Sequence, residues 1–103
     1  MVRLGEAREL FASEIRRIRG DLLLARGESQ EAEHCLRRAI EVARARSERS
    51  FELRAATSLA RLLDRRGKRD EARETLAPTV GWFTEGFDTK DVREGRALLD
   101  ALA

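Results

Sequence analysis

The chain has 103 residues and a mass of 11.7 kDa, the common size of one domain with a modest core, which argues against a two-domain organisation. Hydrophobic residues make up 42% and charged residues 39%, too much apolar surface for a disordered tail, so a soluble helical protein is expected. The 21 bases and 19 acids interleave to a net charge of only +2, a surface laced with ion pairs and lacking the one-sign field that attracts polyanions.

In chain order, Phe11, Ile15, Ile18, Leu22 and Ala25 step by three and four, which predicts an amphipathic helix from near Gly5 to Arg26. Gly27 is placed to end it in the left-handed conformation. Ser29 reads as the N-cap of a second helix, with Glu31 near its positive end and Ala32, Leu36, Ala39, Ile40 and Ala43 as its stripe. A third helix carries Phe51, Ala55, Leu59, Leu62 and Leu63; Gly67 ends it, and Ala72, Leu76, Val80 and Phe83 mark a fourth. Within that fourth helix Pro78 lacks the N–H that would bond the Glu74 carbonyl, so a bend is expected there. In "GWFTEGFDTKD", Trp82 and Phe83 extend the fourth stripe, Gly86 lets the chain turn, and Phe87 stands before Asp88, read as the N-cap of a fifth helix with Asp91 three residues on. Val92, Leu99 and Leu102 give that helix its apolar face, and the aromatic run reads as the joint that fastens it.

The elements repeat. "FASEIRRIRGDLLLARGESQEAEHCLRRAI" aligns without gaps on "FELRAATSLARLLDRRGKRDEARETLAPTV", forty residues on. Phe11/Phe51, Leu22/Leu62, Leu23/Leu63, Arg26/Arg66, Gly27/Gly67, Glu31/Glu71, Ala32/Ala72 and Leu36/Leu76 are identical pairs. Two helical hairpins with short turns follow, their consecutive helices antiparallel neighbours.

In Gly20, Leu23, Gly27, Ala32, Leu36 and Ala39, and less completely in Ala60, Leu63, Gly67, Ala72 and Leu76, the chain resembles a tetratricopeptide repeat pair. It departs from that family at Arg16 and Ala56, where an aromatic is usual, at Arg44 and Thr84, where proline closes the repeat, and in a period of 40 where 34 is usual. The resemblance implies an all-α fold: two antiparallel hairpins (about 5–46 and 47–83) and a capping helix (about 89–102) in a right-handed superhelical stack. Strings such as "RGDLLLARG", "EARETLAPTVGWFTEGFDTKD" and "ALLDAL" further resemble the C-terminal repeat region of large bacterial signalling proteins that join an AAA-type ATPase to a cyclase or DNA-binding domain. That resemblance implies a scaffold role, since no phosphate-binding Gly-Lys-Ser/Thr loop is present in these residues.

Candidate chemistry is sparse. His34 and Cys35 are helix neighbours pointing about 100 degrees apart, so they cannot hold one ion together, and no second histidine exists. Neither an enzyme nor a cofactor is expected. Arginine clusters at 16–19, 37–38 and 65–69 raise nucleic-acid binding as the alternative function, but Glu14, Asp21, Glu41, Asp64 and Asp70 interrupt them. One cysteine and no apolar leader or span point to the cytoplasm.

The resemblance directs first helices to the inner face of the superhelix. It turns Arg17, Ile18, Asp21 and Leu24 of the first unit, and Arg54, Ser58, Arg61 and Arg65 of the second, toward a groove. Four arginines there suit an acidic peptide or C-terminal carboxylate, which the guanidinium fork grips bidentately. Solenoids need about three repeats for stability, and only the outgoing end has a covering helix. Leu4, Leu10 and Phe11 at the incoming end are therefore expected to mediate homodimerisation or docking on an upstream domain. The function expected is a non-enzymatic protein-interaction scaffold in signalling.

Overall fold

The structure, a computed structural model, describes residues 12–83 and 89–103. Those residues form five α-helices: α1 (Ala12–Ala25), α2 (Ser29–Ala45), α3 (Arg49–Arg65), α4 (Arg69–Trp82) and α5 (Lys90–Leu102). Each helix packs on the next, and in addition α1 packs on α3 and α3 on α5. The fold is all-α, with sequential helices around one core.

The joints between the first four helices are one turn used three times, at twenty-residue intervals. Gly27, Ser47 and Gly67 all have positive φ, at 80°, 57° and 77°. In each, the residue after the left-handed position bonds back across the helix end: Glu28 N–H to the Leu23 carbonyl at 2.9 Å, Glu48 to Ala43 at 2.8 Å and Lys68 to Leu63 at 2.9 Å. This is the Schellman closure, which satisfies carbonyls the helix end would otherwise leave unpaired. The same residue then opens the next helix. Glu28, Glu48 and Lys68 are N-caps whose carbonyls accept from Ala32, Glu52 and Ala72 at 3.0, 2.9 and 3.0 Å. Ser29 is therefore not the cap of α2; it is the first helical residue, because the turn leaves no residue between closing one helix and starting the next.

α3 is the centre of the molecule. Leu53, Ala55, Ala56, Leu59, Ala60, Leu62 and Leu63 are all buried, most of them completely. Each buried leucine contributes about 1.5–3 kcal/mol of hydrophobic stabilisation. Leu36 from α2, Leu76 and Val80 from α4, and Val92 and Leu102 from α5 complete the core.

α1 presents a different face from the one its periodicity predicts. Ile15, Ile18 and Leu22 are 51%, 46% and 63% exposed, and Ala25 is exposed as well. The buried positions are Ser13 and Gly20, with Leu23 and Leu24 packed at the margin of the core. Close approach explains the choice: a Cβ at Gly20 would lie 2.9 Å from Leu36 Cγ and 3.3 Å from the Ala32 carbonyl oxygen. The glycine lets α2 come in on that side, which turns the larger aliphatic stripe outward.

At the far end of the fold two readings change, those of Trp82 and of the last helix's cap. α4 runs through Pro78 to Trp82 without a break. Phe83 is buried in the core, but Trp82 is 47% exposed, so only one of the two aromatics serves the packing stripe. Trp82 instead meets Phe83 edge to face at 5.0 Å and carries the Arg49 guanidinium 4.9 Å from its centroid. α5 is capped by Thr89, whose hydroxyl accepts from the Val92 N–H at 3.3 Å. Thr89 thus takes the N-cap place expected of Asp88, because the helix starts one residue later than its sequence reading. Leu4, Leu10 and Phe11, and the Gly86 and Phe87 readings, lie outside the described residues.

No helix among the described residues is long and apolar enough to cross a membrane.

Candidate functional site

α1, α3 and α5 share one polar concavity of about 340 Å³, floored by the buried Thr57 and Ser58 of α3. Of the eight residues that the sequence turned toward a groove, Arg17, Asp21, Arg54, Ser58 and Arg61 line it; Ile18 instead belongs to the exposed stripe of α1, and Leu24 packs at the margin of the core. Arg65, one turn beyond Arg61, stands outside the lining and is exposed. The outgoing helix adds Lys90, Asp91 and Glu94. Reading α5 only as a cover missed that contribution; its acids at 91 and 94 were the available signal.

The groove's arginines are not waiting for a ligand. Arg17 donates to Glu14 at 2.6 Å and to Asp21 at 2.7 Å. Arg54 donates to the same Glu14 oxygen at 3.2 Å and to Asp91 at 2.7 Å. The result is a continuous chain, Asp21–Arg17–Glu14–Arg54–Asp91, that ties α1 to α3 and α3 to α5. Burial opposes the charge on Glu14, but the hydrogen bonds and charges of Arg17 and Arg54 outweigh it and hold its carboxyl below the ordinary value of 4.5. The hydrogen bond to Asp91 is the foremost cause raising Arg54, and Arg17 is raised chiefly by its hydrogen bond to Glu14.

Arg61 and Lys90 are held more loosely. Both reach only Glu94, at 4.0 and 3.8 Å, and their side chains are 48% and 81% exposed. Exposed pairs at such distances are worth about 0–1 kcal/mol, so these two cations are the ones free to exchange partners. The sequence reading of four equivalent arginines thus becomes two structural arginines, Arg17 and Arg54, and two exchangeable cations, Arg61 and Lys90.

A second hollow lies between α2, α3 and α4, lined by Arg44, Arg49, Glu52, Pro78 and Trp82 among others. Glu52 is buried there and is held by Arg44 at 3.2 Å and Arg49 at 3.6 Å. His34 is exposed and Cys35 half-buried against a shallow depression that α1 and α2 share. Among the described residues no three His, Cys, Asp or Glu side chains gather as a metal cage.

Comparison with family models, with curated proteins and with solved structures finds no match to this chain.

Proposed function

We propose that the chain is a tetratricopeptide-like interaction module, and that the concavity across α1, α3 and α5 is its ligand face. The observation that carries this reading is the side-by-side packing of α1 on α3 and α3 on α5. It brings the first helix of each hairpin and the last helix onto one polar surface, as in a superhelix with first helices inside. The right-handed sense of the stack and a place in bacterial signalling belong to the same reading and rest on the sequence resemblance. The ligand suited to the groove is an extended acidic segment: its carboxylates would displace Glu94 from Arg61 and Lys90, while the Arg17 and Arg54 network keeps the walls in place.

The test is binding of immobilised acidic and basic peptides to the wild type and to an Arg61→Glu/Lys90→Glu variant. Acidic peptides should be retained by the wild type and lost by the variant, with melting unchanged because both side chains are exposed. Equal retention by both proteins would sink the groove reading. Steeply salt-dependent binding of DNA or RNA would favour the nucleic-acid alternative instead.

A further inference from the structure

The outward face of α1 carries an apolar stripe with charge beside it and no described helix over it. Ile15, Ile18 and Leu22, spaced by three and four on one side of the helix, are the most exposed large hydrophobics of the described residues apart from Trp82. Forty residues on, the same positions of the second hairpin are Ala55, Ser58 and Leu62, which are 0%, 7% and 2% exposed. α3 differs from α1 in having helices before it: α1 and α2 pack on α3, and no described helix precedes α1. The α1 stripe thus occupies the positions at which this architecture receives a preceding helix, so a helix is the shape that fits it.

The charge around the stripe states what kind of helix. Most arginines of the described residues have a carboxylate within 4.0 Å; among the described residues Arg16, Arg19 and Arg26, on α1 and its turn, have none, and away from this face Arg65 and Arg96 have none either. On a helix of 3.6 residues per turn, Arg19 and Arg26 border the stripe on one flank, with Arg16 just beyond. Unneutralised positive charge is concentrated where the apolar face is open. Self-pairing of two such faces would confront three unpaired arginines from each protomer, while Glu14 and Asp21 on the other flank are already committed to Arg17. The opposite end offers no large exposed apolar counterpart: Lys90, Arg93, Arg96, Ala97, Asp100 and Ala101 are the exposed positions of α5.

We propose that this face is a docking surface for an acidic amphipathic helix of a partner protein, its apolar residues seated on Ile15, Ile18 and Leu22 and its carboxylates paired with Arg16, Arg19 and Arg26. It lies on the side of α1 opposite the buried Ser13 and Gly20, and its residues are distinct from the groove lining.

The experiment uses the full chain and two synthetic helical peptides with the same leucine stripe, one flanked by glutamates and one by lysines, followed by fluorescence anisotropy. The glutamate peptide should bind about tenfold or more tightly than the lysine peptide, with the difference shrinking as salt is raised. Arg16→Glu/Arg19→Glu should reverse the preference, and Ile18→Asp should abolish binding of both peptides with the circular dichroism spectrum unchanged. Arg61→Glu/Lys90→Glu should leave this binding intact, which separates it from the groove. Equal affinity for the two peptides, or no binding of either, would overturn the proposal. So would a dimer in sedimentation equilibrium that Ile18→Asp dissolves, which would make a second copy the occupant. Binding confined to vesicles of mixed phosphatidylserine and phosphatidylcholine would overturn it in favour of a membrane surface.

Discussion

Among the described residues three glycines lie inside helices, and substituting alanine at each isolates the effect of space from the effect of backbone. Gly→Ala within a helix gains about 0.5–1 kcal/mol from helix propensity, whatever the surroundings. At Gly81 a Cβ meets nothing within 4 Å, so most of that gain should appear, trimmed by its place near the end of α4. At Gly95 a Cβ would lie 3.1 Å from Leu53 Cδ1 and 3.2 Å from Val80 Cγ2, contacts that a small rotation of two methyls can relieve; the expected change is about zero. At Gly20 it would lie 2.9 Å from Leu36 Cγ, on a leucine that is 0% exposed, with the Ala32 carbonyl at 3.3 Å behind it. Overpacking of about 1–3 kcal/mol then exceeds the propensity gain, for a net loss of about 1–2 kcal/mol. Thermal and urea unfolding followed by circular dichroism measure all three, and 1 kcal/mol corresponds to about 4–8 °C in a domain of this size. The expected order of melting temperatures is Gly81→Ala, wild type with Gly95→Ala, then Gly20→Ala. A Gly20→Ala protein as stable as Gly81→Ala would refute the close α1–α2 approach, and with it the reason that α1 turns its aliphatic stripe outward.

Ser47→Gly should stabilise the protein by roughly 0.5 kcal/mol, because removing a Cβ from the left-handed position relieves about 1 kcal/mol while the freer unfolded chain returns part of it; urea titration reads the shift. Stability should hold from neutral pH down to about pH 5 and fall below 4.5, the ordinary carboxyl value, since Glu14 and Glu33 have lowered folded values. The sign is fixed by the direction: groups easier to ionise when folded stabilise above their unfolded value and lose that contribution as pH drops through the folded one. Glu14→Gln should flatten this acid limb in melting curves taken across pH, and an unchanged limb would remove Glu14 from the account.

Helix boundaries were legible where the chain marks them with glycine, at Gly27 and Gly67; the joint at Ser47 was placed only by the bounds of the repeat, because a serine in the left-handed conformation carries no local sequence signal. The stripe of α1 was found but assigned to the wrong side. Periodicity says which residues share a face; only the close approach at Gly20 says which face meets the neighbour. Trp82 and Phe83 looked alike beside each other in sequence, yet Trp82 ends α4 on its exposed side while Phe83, the C-cap, leaves the helix in an extended conformation and enters the core. Arg17, Asp21, Arg54, Ser58 and Arg61 fell together because they share one side of α1 and α3, whereas Ile18, forty residues before Ser58, did not follow it into the groove. Their mutual neutralisation was hidden, since the partners Arg54 and Asp91 are 37 residues apart and meet only after α5 has docked.

The turn at Gly27, Ser47 and Gly67 makes no distinction between a joint inside a hairpin and a joint between hairpins. Successive helices alternate between a row that lines the polar concavity, α1, α3 and α5, and an outer row of α2 and α4 that does not. Growth of such a chain obeys a parity rule. Duplicating one helix with its turn would exchange the two rows from that point onward and bring an outer helix into the groove. Duplicating two would preserve every helix's row and lengthen the groove by one wall. A protein built this way can be extended in steps of forty residues while its polar concavity stays in phase, which is the step at which its own sequence repeats.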